Sequence, residues 1–329
     1  MADVAALAGV SHQTVSRVLN DNPRVAPDTR RRVEEAIRKL NYQPNSVARA
    51  LVTGRSRTLG VVSFDTALYG PASTLIGIQD AAHQAGYHVA TVSLRSLVRS
   101  SILDAIERLR RQSVEGVIII APELSAAQAL VNLPADLPVV AVEGALEVPV
   151  PVVAVDQQSG GLQATQHLLD LGHPLVWHIS GPVDWAEARG RERGWRMALE
   201  EAGVAAPPAL VGDWSARSGF LLGQRLAAVP GLSAVFAGND QMALGLLRAL
   251  REAGRDVPGD VSVVGFDDIP ESAYFTPPLT TLRQDFAEVG RRSLTRLLEQ
   301  IDGAPRVAGT DTVPAELVIR DSAAPYRAR

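Results

Sequence analysis

Carboxylates, amides and aromatics recur in one kind of place in this chain, directly after short Val/Ile-rich runs. Phe64-Asp65, Glu143, Asp156, Asn239-Asp240 and Asp267-Asp268 all sit there. Such side chains donate and accept hydrogen bonds in pairs, and an aromatic face covers the apolar side of a ring. That chemistry suits a polyhydroxylated ligand held in a cleft. Each residue alone is more often a strand-end turn or a helix cap, but the repetition favours the cleft. A second group lies near the start of the chain. Val15, Val18 and Leu19 share one face of a helical stretch, which turns His12, Gln13, Ser16 and Arg17 outward. Glutamine can pair bidentately with adenine, and arginine with guanine, from a helix start in the major groove.

Bond-breaking chemistry is poorly represented. Arg189-Gly-Arg-Glu-Arg193 and the Asp267-Asp268 pair are the acid–base candidates, and nothing resembles a nucleophile elbow, a Walker loop or a dinucleotide fingerprint. The six histidines are scattered without metal spacing, and the absence of cysteine excludes disulfides and thiolate sites. His167 and His173 flank a helix end, where a cation complements the dipole. The expectation is a protein that is not an enzyme, with no catalytic residue, no metal and no cofactor beyond a small effector.

The elements that must position these residues follow from periodicity. Residues 2–8 read as a short helix, Gly9 as a turn, and Ser11 as the cap of a second helix. A third helix follows Pro27, with Val33, Ile37 and Leu40 at helical spacing. Ala26 stands where a Ser-type cap is expected, a loss of about 1 kcal/mol. Stretch 53–58 is a polar break. Beyond it, buried strands are expected at 59–64, 88–93, 116–121, 139–142 and 152–155, with helices at 75–85, 102–111 and 126–133 between them. A second series runs helix 159–171, strand 175–180, helix 189–202, strand 209–212, helix 217–228, strand 233–237, helix 241–253 and strand 261–266. Alternating β and α with Val/Ile-rich strands argues for parallel sheets covered on both faces, here in two lobes. Ligands of such sheets collect at the carboxyl ends of the strands.

Length and charge agree with several domains. The chain has 329 residues, 46% of them apolar, and a net charge of −4. Residues 1–58 carry ten Lys+Arg against five Asp+Glu, while the remainder carries 22 against 31. A basic head on an acidic body suggests a polyanion partner for the head. No apolar run reaches membrane-spanning length, and no secretory pattern opens the chain. The expected location is the cytoplasm, associated with the nucleoid.

Specific stretches then carry a family resemblance. The segment DVAALAGVS-x-QTVSRVLN followed by LNYQPNSVARAL is similar to the head and hinge of the lac repressor (LacI/GalR) family. GDWSARSGF (212–220), GNDQMALGLLRAL (238–250), VSVVGFDD (261–268) and PPLTTLRQDF (277–286) resemble its core motifs. The resemblance implies an all-α helix-turn-helix head plus an α/β two-lobed, type I periplasmic-binding-protein-like sensor with parallel sheets. It places the head at 1–44, the hinge helix and linker at 45–58 and the effector domain at 59–329. Lobe 1 would take about 59–156 and 286–313, and lobe 2 about 157–285 and 314–325.

The resemblance also implies roles. His12, Gln13, Ser16 and Arg17 would read bases, with Asn45 and Arg49 in a hinge helix whose Leu51 wedges between base pairs. An apolar wedge of that kind kinks DNA and brings more protein into contact. Arg191, Trp214, Asn239, Asp267 and Phe286 would hold the effector, joined by Phe64, Tyr69, Glu143 and Glu187, where the pocket departs from the lac repressor pattern. Trp185 adds a further aromatic. The implied protein is a homodimeric repressor of sugar-utilisation genes, released from palindromic operator DNA by a small sugar or glycoside. A corepressor-dependent repressor with a nucleobase-like effector and a sugar-binding protein without gene control are the alternatives. The chain starts at Met1-Ala-Asp, which implies a frayed first helix or a start lying upstream. It ends without leucine heptads, which implies a dimer without a tetramerising tail.

Overall fold

Three helices, α1 (Ala2–Ala8), α2 (His12–Leu19) and α3 (Pro27–Lys39), fold around Val4, Ala8, Val15, Val18 and Val33. Gly9 ends α1 with φ of 64°, a left-handed conformation that costs glycine nothing. The Ser11 hydroxyl accepts from the Thr14 amide at 3.2 Å, capping α2 as its position in the sequence predicts. Helix α3 starts on Ala26 with Pro27 in its first turn and no side-chain cap, and α1 starts on Met1 in the same uncapped way.

A computed structural model describes residues 1–19, 22–42, 54–94, 98–131, 133–134, 136–143 and 148–327. These fall into two units, Met1–Arg57 and Thr58–Arg329. The second unit begins with β1 (Thr58–Phe64), α4 (Tyr69–Gln84), β2 (His88–Leu94), α5 (Arg99–Arg111), β3 (Val117–Ile120), α6 (Ala127–Leu130), β4 (Val139–Val142) and β5 (Pro151–Val155). It continues with α7 (Gln157–Asp170), β6 (Trp177–Ser180), α8 (Ala186–Glu201), β7 (Leu210–Val211), α9 (Ala216–Ala227), β8 (Ala234–Ala237), α10 (Asp240–Glu252), β9 (Ser262–Asp267) and β10 (Thr280–Arg283). Helix α11 (Phe286–Ile301) and strands β11 (Gly309–Val313) and β12 (Glu316–Val318) close it.

Two six-stranded sheets result, ordered β11-β5-β4-β3-β1-β2 and β12-β10-β9-β8-β6-β7. Strands such as β3, Val-Ile-Ile-Ile, are buried along their whole length, as a sheet covered on both faces requires. Every pairing is parallel except β10 with β12, an antiparallel edge. The chain passes between the sheets after β5, after β10 and after β11. Paired helices meet glycine to backbone. A Cβ on Gly77 would strike the Phe286 carbonyl, one on Gly161 the Arg191 carbonyl, and one on Gly245 the Ala216 carbonyl.

Several boundaries differ from expectation. Helix α4 begins six residues before 75, because Gly70-Pro71 reads as a turn in sequence while proline is tolerated in a first turn. Helix α6 is a single turn preceded by a 3-10 turn at Leu124–Ala126, and β7 is a two-residue edge strand. No helix among the described residues is long and apolar enough to cross a membrane.

Candidate functional site

A cavity of about 210 Å³ lies between the two sheets at the carboxyl ends of their strands. A single water needs roughly 10–15 Å³ on this scale, so there is room for an organic ligand of many heavy atoms. Glu143 reaches it from the end of β4 and Asp267 from the end of β9. Asn239, Trp214, Glu187, Tyr69 and Phe286 enter at or near the first turns of α10, α9, α8, α4 and α11. Arg191 comes from the second turn of α8. Phe64 is not on the cavity wall, and neither are the strand-end acids Asp65, Asp156, Asp240 and Asp268. Phe64 is buried behind Trp185, with ring centroids 6.2 Å apart.

The charged centre is a ring of three hydrogen bonds closed by an ion pair. Arg191 Nε donates to Gln157 Oε1 at 2.8 Å, Gln157 Nε2 to Gln284 Oε1 at 2.9 Å, and Gln284 Nε2 to Asp267 Oδ1 at 2.6 Å. Asp267 Oδ1 closes the ring 3.5 Å from Arg191. Arg191 also donates to the Gly238 carbonyl and lies over the rings of Phe266 and Trp214. Gln157 and Gln284 stand where the chain crosses between sheets, after β5 and after β10. Sequence reasoning passed over both. Gln157 follows the noted Asp156, and Gln284 lies inside the stretch PPLTTLRQDF, so position within a crossing was the available signal.

Burial dominates the electrostatics. It pushes the Asp267 carboxyl up to about 6, opposed by Arg191 and Gln284. It pushes Glu143 up to about 7, opposed chiefly by Arg191. Glu187 is driven well above the ordinary carboxylate range by burial and then by Glu143. Behind Asp267, the buried Asp240 carboxylate accepts from Thr281 Oγ1 at 2.6 Å and the Ile269 amide at 2.9 Å. Asp268 accepts from Arg283 and Arg320. Together they hold a kink in which Asp267 and Asp268 take φ of 110° and 52°. Glu143 and Trp214 also have positive φ, 55° and 70°. Non-glycine residues rarely adopt such conformations, and Glu143, Trp214 and Asp267 do so on the wall of one cleft.

Aromatic rings form the walls. Trp185 meets Trp214 edge-on at 5.7 Å, and Tyr69 meets Phe286 edge-on at 5.9 Å. A short backbone bridge spans the two lobes beside them. The Leu124 amide donates to the Asp184 carbonyl and the Ala186 amide to the Pro122 carbonyl, both at 2.9 Å. Asn239 is satisfied internally, donating to the Trp214 carbonyl and accepting from the Met242 amide.

In the head, His12, Gln13 and Arg17 are exposed on α2 and Ser16 is half-buried, on the side away from Val15 and Val18. Asn45, Arg49 and Leu51 lie outside the described residues. Burial pushes the His167 and His173 imidazoles down towards the neutral form, against the expectation of a cation at this helix end. No group of acids and histidines among the described residues has the makings of a metal site.

Comparison with known proteins adds independent findings. Residues 1–45 match the family described as bacterial regulatory proteins, lacI family, and residues 165–323 match the periplasmic binding protein-like domain. The lactose operon repressor of Escherichia coli is 36% identical over 97% of this chain and 89% of its own length. The transcriptional repressor PurR of Haemophilus influenzae is 33% identical over 97% of both. Among solved structures, the lac repressor dimer bound to operator and the anti-inducer ONPF superposes with a TM-score of 0.85, at 35% identity and 98% coverage of both chains. The complex of the transcriptional regulator CelR with cellobiose does so with a TM-score of 0.72, at 33% identity, covering 97% of this chain and 98% of that one. Near full-length similarity at this identity, with a head and a two-sheet body in the same order, makes the chain a member of the lacI family of bacterial regulatory proteins.

Proposed function

We propose that the protein is a homodimeric, sequence-specific DNA-binding repressor of sugar-utilisation genes, released from its operator by a small sugar or glycoside. The observation that carries this reading is the Arg191–Gln157–Gln284–Asp267 ring set among aromatic walls between two lobes. Fixed donors and acceptors orient hydroxyls, and aromatic faces cover the apolar side of a sugar ring. The operator-bound and cellobiose-bound relatives support the same pair of ligands. Residues 1–44 are the reading head, 45–58 the hinge and linker, and 59–329 the effector domain. His12, Gln13, Ser16 and Arg17 read bases, Asn45 and Arg49 belong to the hinge, and Leu51 wedges into the minor groove. The protein acts in the cytoplasm as a binding protein and catalyses nothing.

The mechanism is a shift of populations. A ligand touching Glu143 on one lobe and Arg191, Asn239 and Asp267 on the other favours the arrangement in which both sets meet it, and that preference alone moves the equilibrium. The test is fluorescence anisotropy of a labelled palindromic site from the DNA flanking the gene, at fixed salt, with and without mono- and disaccharides. Binding reversed by a sugar establishes the inducible repressor. Binding strengthened by a nucleobase would replace it with corepression. No DNA binding by the folded protein would reject gene control.

A further inference from the structure

The cavity contains one corner whose polar atoms have no partners. Glu143 is 6% exposed and Glu187 8%, yet both Glu143 oxygens and Glu187 Oε2 lack a hydrogen-bond partner among the described residues. Gln157 and the Val155 amide influence Glu143, but neither is in hydrogen-bonding geometry with it. Trp214 Nε1, also buried and on the cavity wall, is a donor with no acceptor. The other charged and amide groups of the ring already have protein partners. Arg191 already serves Gln157, Gly238 and Asp267, and Asn239 and the glutamines serve one another's neighbours. Among the described residues of the cavity wall Arg191 is the buried cation; it is paired with Asp267, and Glu143 and Glu187 feel its charge without a hydrogen bond from it.

The stoichiometry of this corner selects a ligand group. A hydroxyl offers one hydrogen, so three bare oxygens would need three hydroxyls converging on one point. A protonated amine offers three hydrogens from a single atom and carries the missing charge. Without a counter-charge, burial pushes both carboxyls towards the protonated form, Glu143 to about 7, and a bound cation would return them to the acceptor-only carboxylate form. Trp185 and Trp214 supply aromatic faces beside the corner, which attract a cation further. The Trp214 N–H, also without an acceptor, calls for an oxygen on the same ligand.

We propose that the Glu143–Glu187 corner is a subsite for a protonated amine on a ligand that also carries an oxygen, so that the effector is an amino sugar or an amino-sugar glycoside. This rests on the reading of the cleft as a sugar site. Titration calorimetry on the full-length protein with matched pairs tests it: glucosamine and glucose, galactosamine and galactose, the β-1,4 disaccharide of glucosamine and cellobiose. In at least one pair the amino member should bind roughly tenfold more tightly or better, the scale of a desolvated cation against carboxylate and aromatic faces. Glu187→Gln, which keeps the shape and removes the charge, should erase that preference. Neutral members binding as well as or better than their amino partners overturn the amine subsite and leave the sugar reading standing. Binding by none of the six to a folded protein overturns both. The wild-type comparison decides the matter even where Glu187→Gln fails to fold.

Discussion

At the scale of single residues, Asp267 is the point where the ring, the kink and the cavity meet. Its carboxyl is raised only to about 6, so it is largely ionised at neutral pH and depends on Arg191 and Gln284 for compensation. Replacing it with asparagine leaves the buried guanidinium without its charge partner and presents a donor where ligand hydroxyls need an acceptor. Asp267→Asn should weaken effector binding at least about tenfold, since hydrogen bonds to charged groups contribute roughly 1.5–3 kcal/mol. Operator binding should remain, and anisotropy with and without effector checks both halves. Glu143 gives a pH prediction of definite sign. Its folded value, about 7, lies above the ordinary 4.5, so the protonated form favours the fold. That contribution is complete below the ordinary value and is lost as pH rises through about 7. The unliganded protein should therefore lose stability between about pH 4.5 and 7, at no more than about 1.4 kcal/mol per pH unit from this group, and level off above. Glu143→Gln should flatten the trend in thermal melts, and an unchanged slope would show that the carboxyl is ionised throughout.

At the scale of elements, helix-to-helix contact controls where Arg191 sits. Gly161 on α7 touches the Arg191 backbone on α8, and a Cβ there would collide with it. Gly161→Ala should push α8 outward and destabilise the second unit by about 1–3 kcal/mol, the usual cost of overpacking. It should also weaken effector binding, because Arg191 can no longer reach Gln157 and Asp267 together. A variant that loses stability in denaturant titration yet binds effector as before would separate packing from positioning. Ala26 works the other way. Its φ and ψ of −57° and 140° already suit an N-cap, so Ala26→Ser should stabilise the head by about 1 kcal/mol. Hydrogen exchange along α3 in the intact protein reads that change.

The same scale explains what the sequence made legible. Strand runs such as Val117–Ile120 announce themselves because both faces are buried, and strand ends then locate Glu143, Asn239 and Asp267. The glutamines at 157 and 284 carry no such signal, since their importance comes from two crossings being neighbours in space. Helix α4 was half hidden because Gly70-Pro71 imitates a turn while serving as a first turn. Phe64 was placed on the cavity wall by its strand-end position, but Trp185, brought across by the backbone bridge at Glu123, stands in front of it. Sequence periodicity describes each element along its own axis. Contacts between elements that are distant in sequence are beyond it.

At the scale of the whole molecule, the head and the sensor are separate units with separate cores, so communication between them has to be thermodynamic before it is structural. If effector weakens operator binding by some factor, operator must weaken effector binding by the same factor, because both legs of the cycle share their end states. Couplings of this kind typically fall between about 5- and 150-fold. Calorimetry of effector binding to the free protein and to the operator complex, set beside anisotropy with and without effector, should give equal ratios. If Leu51 is the minor-groove wedge proposed above, Leu51→Ala should weaken operator binding while leaving effector affinity for the free protein unchanged. Its effect on the coupling ratio is the more informative number. If the wedge is what the effector withdraws, the ratio should fall towards one together with operator affinity. If the ratio survives intact in Leu51→Ala, the sensor acts on the head by another route, and Leu51 supplies affinity alone.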